Sequence, residues 1–303
     1  MAEGTDRPLH HLVDDSPLSD PVLVVGLEGW VDAGYGAAAA VAHLLENGET
    51  TLVATFDADV LVDHRSRRPV MHLAEGVNTG LTWPSIELRR SRDLDNRDIL
   101  VLTGTEPDVR WRAFTAEVVD LAVRLGVRLV VGLGAYPAPV PHNRPVRLAT
   151  TATDAELAER AGEVRTTIDV PAGVGAAIEE RCAAIHLPAV GLWAQVPHYA
   201  AGMPYPEASA TLLEGLARVA GLRLDAAELH EAARTHRERL DDLVATNIEH
   251  TRMVHTLETA YDAEREDQGA GAFAPAVGEE LAAEVERFLR DLETGGGDPP
   301  GGS

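Results

Sequence analysis

The fold is decided by one stretch near the start of the chain, Pro21-Val22-Leu23-Val24-Val25-Gly26-Leu27-Glu28-Gly29-Trp30-Val31-Asp32-Ala33-Gly34-Tyr35-Gly36. Its first half is a short apolar run rich in β-branched residues, which is typical of a strand buried on both faces of a parallel sheet. Its second half is a glycine-rich loop, and the alanine-rich residues 37–46 after the loop favour a helix. The stretch therefore predicts a strand, a loop and a helix in succession, the repeating unit of α/β folds.

The same order of elements recurs further along the chain. Buried strands are predicted at residues 99–102, 127–131 and 190–196, and helices at about 109–125 and 206–219. Residues 51–61 are strand-like, whereas 60–90 contain no convincing helix and predict short strands and loops that extend the sheet in an antiparallel sense. Residues 132–145 are interpreted as a long loop after the third strand. Strands that alternate with helices predict an α/β fold with a mostly parallel sheet covered on both faces.

The 303 residues are long enough for one large domain with additions, or for two small domains. From residue 225 to about 266, apolar residues recur at helical spacing, which predicts one long or two shorter amphipathic helices. We expect the following organisation: a flexible N-terminal tail at 1–20, an α/β core at 21–222, a helical extension at 223–268, a linker with a short helix at 269–292, and a disordered tail at 293–303.

Composition excludes several classes of protein. The net charge is −23, and all 26 basic residues are arginine. A chain this acidic lacks the basic face that binds nucleic acid or an anionic membrane surface, so we expect neither partner. Without lysine, neither a P-loop contact to a nucleotide phosphate nor a side-chain Schiff base is available. Cys182 is the only cysteine, which leaves no disulfide or cysteine-rich metal site within the chain, and we interpret it as a small buried residue.

The sequence also indicates a compartment. Residues 1–20 are polar and acidic and lack the basic start and apolar centre of a signal peptide. No apolar run approaches the roughly 20 residues of a membrane span. We therefore expect a cytoplasmic protein.

Four unusual segments follow the carboxyl ends of predicted strands: residues 29–34, 106–111, 141–145 and 197–199. Ligands bind at these strand ends in open α/β sheets, so we expect the side chains of the segments to meet at one edge. The candidate ligand or interface residues are Trp30, Asp32, Glu106, Asp108, Arg110, Trp111, His142, Arg144, His198 and Tyr199.

Each candidate also has a structural interpretation. The glycine-rich loop at a helix start suits an anion, or Asp32 caps that helix. Glu106 and Asp108 form a carboxylate pair, or Asp108 caps the helix that opens at residue 109. His142 and Arg144 bind an anion or contact a partner subunit, whereas His198 is a base or is fixed by hydrogen bonds. No motif is diagnostic of catalysis, and we predict no metal and no cofactor.

Together these segments resemble the PAC2 family, which is named after a proteasome assembly chaperone. The matching residues are 26–36, Glu106-Pro107-Asp108 with Arg110-Trp111 and Phe114, 134–145, and Pro197-His198-Tyr199 with Tyr205-Pro206. The match covers about residues 21–240, and the likeness is to the actinobacterial branch. The resemblance implies a three-layer α/β/α core of the phosphorylase/hydrolase type with helical additions, and a homo-oligomer, with a trimer as the expected form.

Relatives of this family in eukaryotes and archaea chaperone proteasome assembly, and some dock on proteasome rings through a C-terminal hydrophobic-Tyr-X ending. This sequence ends in Gly301-Gly302-Ser303, so we do not expect that mode of docking. Two hypotheses follow. One is an oligomeric assembly chaperone-like or binding protein without catalysis, and the other is a small-molecule hydrolase or phosphorylase-like enzyme with its site at the carboxyl edge of the sheet.

Overall fold

The structure is a computed structural model that describes residues 8–29, 31–46, 48–161 and 167–270. The strands within these ranges are β1 (His10–Leu12), β2 (Val22–Glu28), β3 (Thr51–Phe56), β4 (Val70–Ala74), β5 (Val77–Thr82), β6 (Ile86–Arg92), β7 (Asp98–Thr105), β8 (Leu129–Ala138), β9 (Leu148–Ala152) and β10 (Ala189–Pro197). The helices are α1 (Gly36–Glu46), α2 (Ala58–Leu61), α3 (Trp111–Arg124), α4 (Ala155–Ala161), α5 (Val174–Ala184), α6 (Pro206–Ala220), α7 (Ala227–Ala245) and α8 (Ile248–Ala270).

One large sheet organises the fold, with the strand order β1-β3-β6-β7-β2-β8-β10-β9. The four neighbouring strands β7, β2, β8 and β10 run parallel, and antiparallel strands extend the sheet at both sides. Val24 of β2 lies between Val101 of β7 and Val131 of β8, and all three side chains are fully buried. The apolar first half of the stretch quoted above therefore forms a central strand of the sheet, because a continuous apolar run can be buried on both faces.

Helices cover both faces of this sheet. One apolar core lies under α1 and α6, and a second lies under α3 and α5. Cys182 of α5 is fully buried in the second core, as the sequence indicated. The predicted three-layer α/β/α fold, with parallel strands at its centre, is confirmed.

The loop predicted for residues 132–145 is wrong in its first half. Strand β8 continues to Ala138 because β10 pairs with it along its whole length, from Ala189 beside Val130 to Pro197 beside Ala138. The glycine at position 134 permits this pairing, since a Cβ there would lie 2.4 Å from the indole of Trp193. Glycine within a strand often marks the close approach of a neighbouring group, here the indole ring. The same glycine made the sequence look like a loop.

The flexible tail predicted for residues 1–20 is wrong where the structure describes it. Strand β1 pairs with β3, and Leu9 is buried in the second core. The carboxylate of Glu117 also accepts the backbone N–H of Leu9, at 2.7 Å. One apolar side chain and an edge pairing are enough to hold a segment whose composition is otherwise polar.

The two C-terminal helices fold back on the core. Helix α7 packs against α6, and α8 packs against α7. Val254 and Tyr261 of α8 are both buried. The short helix predicted within 269–292 and the tail at 293–303 lie outside the described residues, apart from residues 269 and 270, which belong to α8. No described helix combines the length and the apolar character that crossing a membrane requires.

Candidate functional site

The predicted side chains lie at the carboxyl edge of the parallel strands, but they form two groups. Glu106 and Trp111 belong to the side covered by α3 and α5. His142 and Tyr199 belong to the side covered by α6 and α7. The loop after β2 begins between the two groups, because β2 lies between β7 and β8 in the sheet. The backbone N–H of Glu106 donates to the carbonyl of Glu28 at the end of β2. Trp30, in that same loop, lies outside the described residues.

Glu106 caps a helix from a distant part of the chain. Its Oε1 accepts the backbone N–H of Val174, at 2.6 Å, and the residue is only 8% exposed. A carboxylate at the start of a helix satisfies a free N–H group and the positive end of the helix dipole. Gly29 leaves room for this carboxylate, since a Cβ at position 29 would lie 2.5 Å from Oε2. Glu106 therefore joins the β2 loop to α5.

Asp108 does not cap its own helix, which was one of the two roles considered for it from the sequence. Helix α3 begins at Trp111, and Arg110 precedes it in a left-handed conformation with no capping side chain. The carboxylate of Asp108 instead accepts the backbone N–H of Asp63 at 2.8 Å and the guanidinium of Arg67 at 3.2 Å. Since Glu106 binds α5 and Asp108 binds residues 63–67, the two carboxylates are not arranged as an acid–base pair.

Arg110 and Trp111 lie in different environments. The residue Arg110 is exposed, whereas Trp111 packs partly on the second core and donates its indole N–H to the carbonyl of Pro107 at 2.5 Å. Trp111 therefore closes the turn between β7 and α3.

Asp32 has the structural role that the sequence offered as an alternative. Its carboxylate accepts the backbone N–H groups of Ala37 and Ala38, at 2.8 and 2.9 Å. Burial raises the pKa of Asp32 and outweighs the lowering effect of these hydrogen bonds. Because the carboxylate occupies the free N–H groups at the start of α1, the position where the loop would bind an anion is already taken.

Among the candidates that the structure describes, His142 is the most buried, with 1% of its surface exposed. The hydroxyl oxygen of Tyr199 lies 2.8 Å from its backbone nitrogen and 2.7 Å from its Nδ1. On the other side, its Nε2 lies 3.1 Å from Oδ1 of Asp241, a residue of α7. The imidazole thus joins the loop after β8 to the loop after β10 and to a C-terminal helix.

Two directions in this network follow from the groups themselves. The carboxylate of Asp241 can only accept, so Nε2 of His142 donates to it. The phenol oxygen of Tyr199 accepts the backbone N–H of His142 and also lies within hydrogen-bond distance of Nδ1. Burial raises the pKa of Tyr199 to about 12. A nucleophile needs a lowered pKa or an accessible base, so this arrangement fastens the loops and does not activate the phenol.

Arg144 binds helix α8. Its guanidinium donates two hydrogen bonds to the carboxylate of Asp262, at 2.9 and 2.7 Å. Asn143 bonds to Glu258, and the hydroxyl of Tyr261 donates to the carbonyl of Pro145 at 2.9 Å. Three successive residues of the loop therefore hold one face of α8.

His198 is the one candidate histidine with an exposed side chain. It lies in a short 3-10 helix, His198–Ala200, with its ring edge-on to Tyr199 at 5.3 Å between centroids. It takes no part in the hydrogen bonds between Tyr199 and His142.

Sequence reasoning missed the acidic partners on the C-terminal helices, Asp241, Glu258 and Asp262. The four-residue spacing of Glu258 and Asp262 places both on one face of α8, which was readable from the sequence. Nothing in the pattern connected that face with residues 142–147, more than a hundred positions earlier.

A groove of about 430 Å³ lies between α6, α7 and the segment after Pro145. Its lining includes none of the ten predicted residues. Two pairs of side chains meet across it, Arg237 with Glu207 and His230 with Glu214 at 2.7 Å, whereas Arg234 binds Glu231 and Glu238 outside the lining. Within the described ranges, no three His, Cys, Asp or Glu side chains are grouped so that they could hold a metal ion.

Comparisons with known proteins agree on a family. Residues 26–244 match the PAC2 family. A Mycobacterium tuberculosis protein of unknown function is 36% identical, with a TM-score of 0.81, over 89% of this chain and 94% of its own. A PAC2 family protein from Streptomyces avermitilis is 37% identical, with a TM-score of 0.70, over 78% and 100%.

A third solved structure, described as a proteasome-assembly chaperone homologue from Mycobacterium tuberculosis, is 33% identical to this chain. The likeness has a TM-score of 0.72 and covers 77% of this chain and 99% of that one. No curated protein sequence matches the chain.

Proposed function

Because the chain belongs to the PAC2 family, with relatives in actinobacteria, we propose that it is a homo-oligomeric, chaperone-like assembly protein of the cytoplasm without catalysis. The observation that carries this proposal is the use of the polar residues at the carboxyl edge. Glu106 and Asp32 cap helices, Asp108 holds a neighbouring segment, and His142 and Arg144 hold the C-terminal helices. Side chains consumed by internal hydrogen bonds are not available to bind or transform a substrate.

The electrostatics support the same proposal. An enzyme keeps its acid, base or nucleophile accessible and poised near the working pH. Here the buried His142 meets a phenol whose pKa burial raises to about 12, and the carboxylates of Asp32 and Glu106 face backbone N–H groups. The relative described as a proteasome-assembly chaperone homologue makes protein binding the first function to test.

Two measurements test the proposal. Light scattering after size-exclusion chromatography should give a mass that is a multiple of 32.3 kDa, with a trimer as the expected form. Native mass spectrometry of the protein purified from its source cell should show the oligomer without a stoichiometric small molecule. A stable monomer contradicts the self-association, and a bound compound that the protein converts contradicts the absence of catalysis.

A second experiment addresses the partner. The tagged chain is used to capture proteins from its source cell, and any captured complex is reconstituted from purified components. A chaperone-like protein should raise the rate or yield of the partner's assembly and should be released from the finished complex. A partner that assembles equally well without the chain contradicts the chaperone-like role. This reconstitution also decides whether a proteasome is that partner.

A further inference from the structure

An exposed hairpin lies between α2 and β6. We call residues 64–84 the hairpin arm. Its strands β4 and β5 pair only with each other among the described strands, and every residue of both is exposed. The exposed apolar side chains of the arm are Val70, Met71, Leu73, Val77, Leu81 and Trp83. Met71 and Leu81 lie opposite each other in the register of the hairpin, so exposed apolar side chains are paired on it. Since a two-stranded hairpin is marginal in water and exposed apolar surface marks binding sites, the arm fits a partner that covers it.

The arm differs in charge from the rest of the protein. Residues 64–84 carry three arginines and one carboxylate, Glu75, in a chain with a net charge of −23. Arg67 is paired with Asp108, whereas Arg65 and Arg68 are exposed at the base of the hairpin. The arm thus combines an apolar surface with a basic flank, and an acidic, apolar surface would complement it.

The turn between α7 and α8 has those complementary properties. We call residues 241–249 the helical corner. Leu243 and Ile248 are 59% and 65% exposed there. The corner contains three carboxylates, Asp241, Asp242 and Glu249, and no basic residue. Asp241 is bound to His142, so Asp242 and Glu249 are the charges that the corner offers to a second molecule.

The arm and the corner emerge from the same end of the sheet. The backbone at both ends of the arm bonds to the segment at the carboxyl end of β7, since Leu61 accepts from Asp108 and Ser85 accepts from Thr105. Helix α6 begins at that same end, after β10, and α7 runs antiparallel to it, as the pairs Glu207–Arg237 and Glu214–His230 require. The C-terminal end of α7 therefore returns to the carboxyl edge, and the corner lies there.

We propose that the hairpin arm of one copy docks on the helical corner of the next copy, head to tail, and that repetition of this contact closes a ring. The arm is attached near the end of β7 and the helices of the corner follow β10. Because β2 and β8 lie between β7 and β10, the arm and the corner are separate surfaces along the carboxyl edge of the sheet. A contact between two different surfaces repeats from copy to copy, and it gives a ring where the rotation between copies closes. A two-fold contact of arm with arm would oppose Arg65 and Arg68 to their own copies. The inference rests on the homo-oligomer of the proposed function and names its interface.

Charge reversal tests the pairing. The variants Arg65→Glu/Arg68→Glu and Asp242→Arg/Glu249→Arg should each raise the dissociation constant of the oligomer by about tenfold or more, because each opposes like charges across the contact. The variant with all four substitutions should recover most of the wild-type affinity. The control Arg112→Glu/Arg124→Glu, with the same change of charge on exposed positions of α3, should leave the oligomer intact.

A cross-link tests the geometry. Oxidation of the double variant Met71→Cys/Ile248→Cys should give disulfide-linked species up to the full size of the ring, because every copy contributes one cysteine to each neighbour. Met71→Cys alone should give no linked dimer. Native Cys182 does not interfere, since it is fully buried and burial raises its pKa to about 12.

The outcomes separate the two proposals. A wild-type monomer contradicts the homo-oligomer itself. An oligomer that survives reversal of Arg65 and Arg68, or that reversal at both surfaces fails to restore, overturns the arm-to-corner contact alone. Efficient linkage by Met71→Cys alone also overturns it, because that result indicates a two-fold contact between arms.

Discussion

Nδ1 of His142 lies 2.7 Å from the phenol oxygen of Tyr199, although 57 residues separate them in sequence. The contact joins the segments that follow β8 and β10, and Asp241 extends it to α7. A histidine with these partners resembles a catalytic relay. Because His142 is buried and the pKa of Tyr199 is raised, we interpret the contact as one that holds these segments together.

Removal of the Tyr199 hydroxyl tests that role. Tyr199→Phe leaves both the backbone N–H and Nδ1 of His142 without a partner, so we expect the free energy of unfolding to fall by about 1–3 kcal/mol. His198→Ala, at the exposed neighbouring histidine, should change it by less than about 0.5 kcal/mol. Urea denaturation measures both values. Equal stability of Tyr199→Phe and wild type would show that the network does not hold the loops.

The cap on α5 predicts a local effect. Glu106→Ala removes the acceptor for the N–H of Val174 and should lower the free energy of unfolding by about 1–2 kcal/mol, whereas Glu106→Gln keeps an oxygen acceptor and should cost less. Hydrogen exchange should quicken at the start of α5 in the alanine variant. Unchanged exchange at Val174 would contradict the cap.

The pair Arg144–Asp262 predicts how firmly α8 is held. Arg144→Asp should speed proteolysis within α8, because two carboxylates then face each other where a two-point ion pair stood. Arg144→Asp combined with Asp262→Arg should slow it again. The pair is partly exposed, so its effect on global stability should stay within about 1 kcal/mol. If α8 is cleaved equally fast in all forms, the contact does not hold the helix.

Acid should weaken the fold through Asp98. Burial alone would raise the pKa of this carboxyl, but hydrogen bonds from Arg90, Ser19 and Arg92 outweigh it and hold the pKa below its usual value. A lowered folded-state pKa contributes stability that is present above the ordinary carboxyl pKa near 4 and is lost as the pH falls through the folded value.

Asp98→Asn should therefore be less stable than wild type at pH 7, and the difference should shrink below about pH 4. Thermal unfolding between pH 3 and pH 7 measures it. A difference that stays constant across this range would mean that the charge of Asp98 does not stabilise the fold.

Cys182 should be inert in the folded protein. It is fully buried, and burial raises its pKa to about 12, so the reactive thiolate is scarce at neutral pH. A thiol reagent should modify it only slowly in buffer and rapidly in denaturant. Rapid modification of the native protein would contradict its place in the core.

The sequence predicted the architecture through its continuous apolar strands. The run of β2 and the pattern of α7 and α8 are each visible within a short window, because burial on two faces or on one stripe imposes a period. The extension of β8 to Ala138 was not visible, since it depends on pairing with β10, for example of Ala138 with Pro197, far along the chain. β1 was missed for a similar reason, because its partner and the site that buries Leu9 lie elsewhere in the chain.

By itself the sequence determined that polar loops follow the strand ends, that lysine chemistry is absent, and that the chain belongs to an α/β class. Only the tertiary structure decided what those loops do. Whether Glu106 is an acid or a cap depends on the N–H of Val174, and whether Arg144 binds a ligand or a helix depends on Asp262. Residue type and spacing fix the chemistry a side chain can perform, but its partner is set by packing between segments far apart in the chain, which no local pattern encodes.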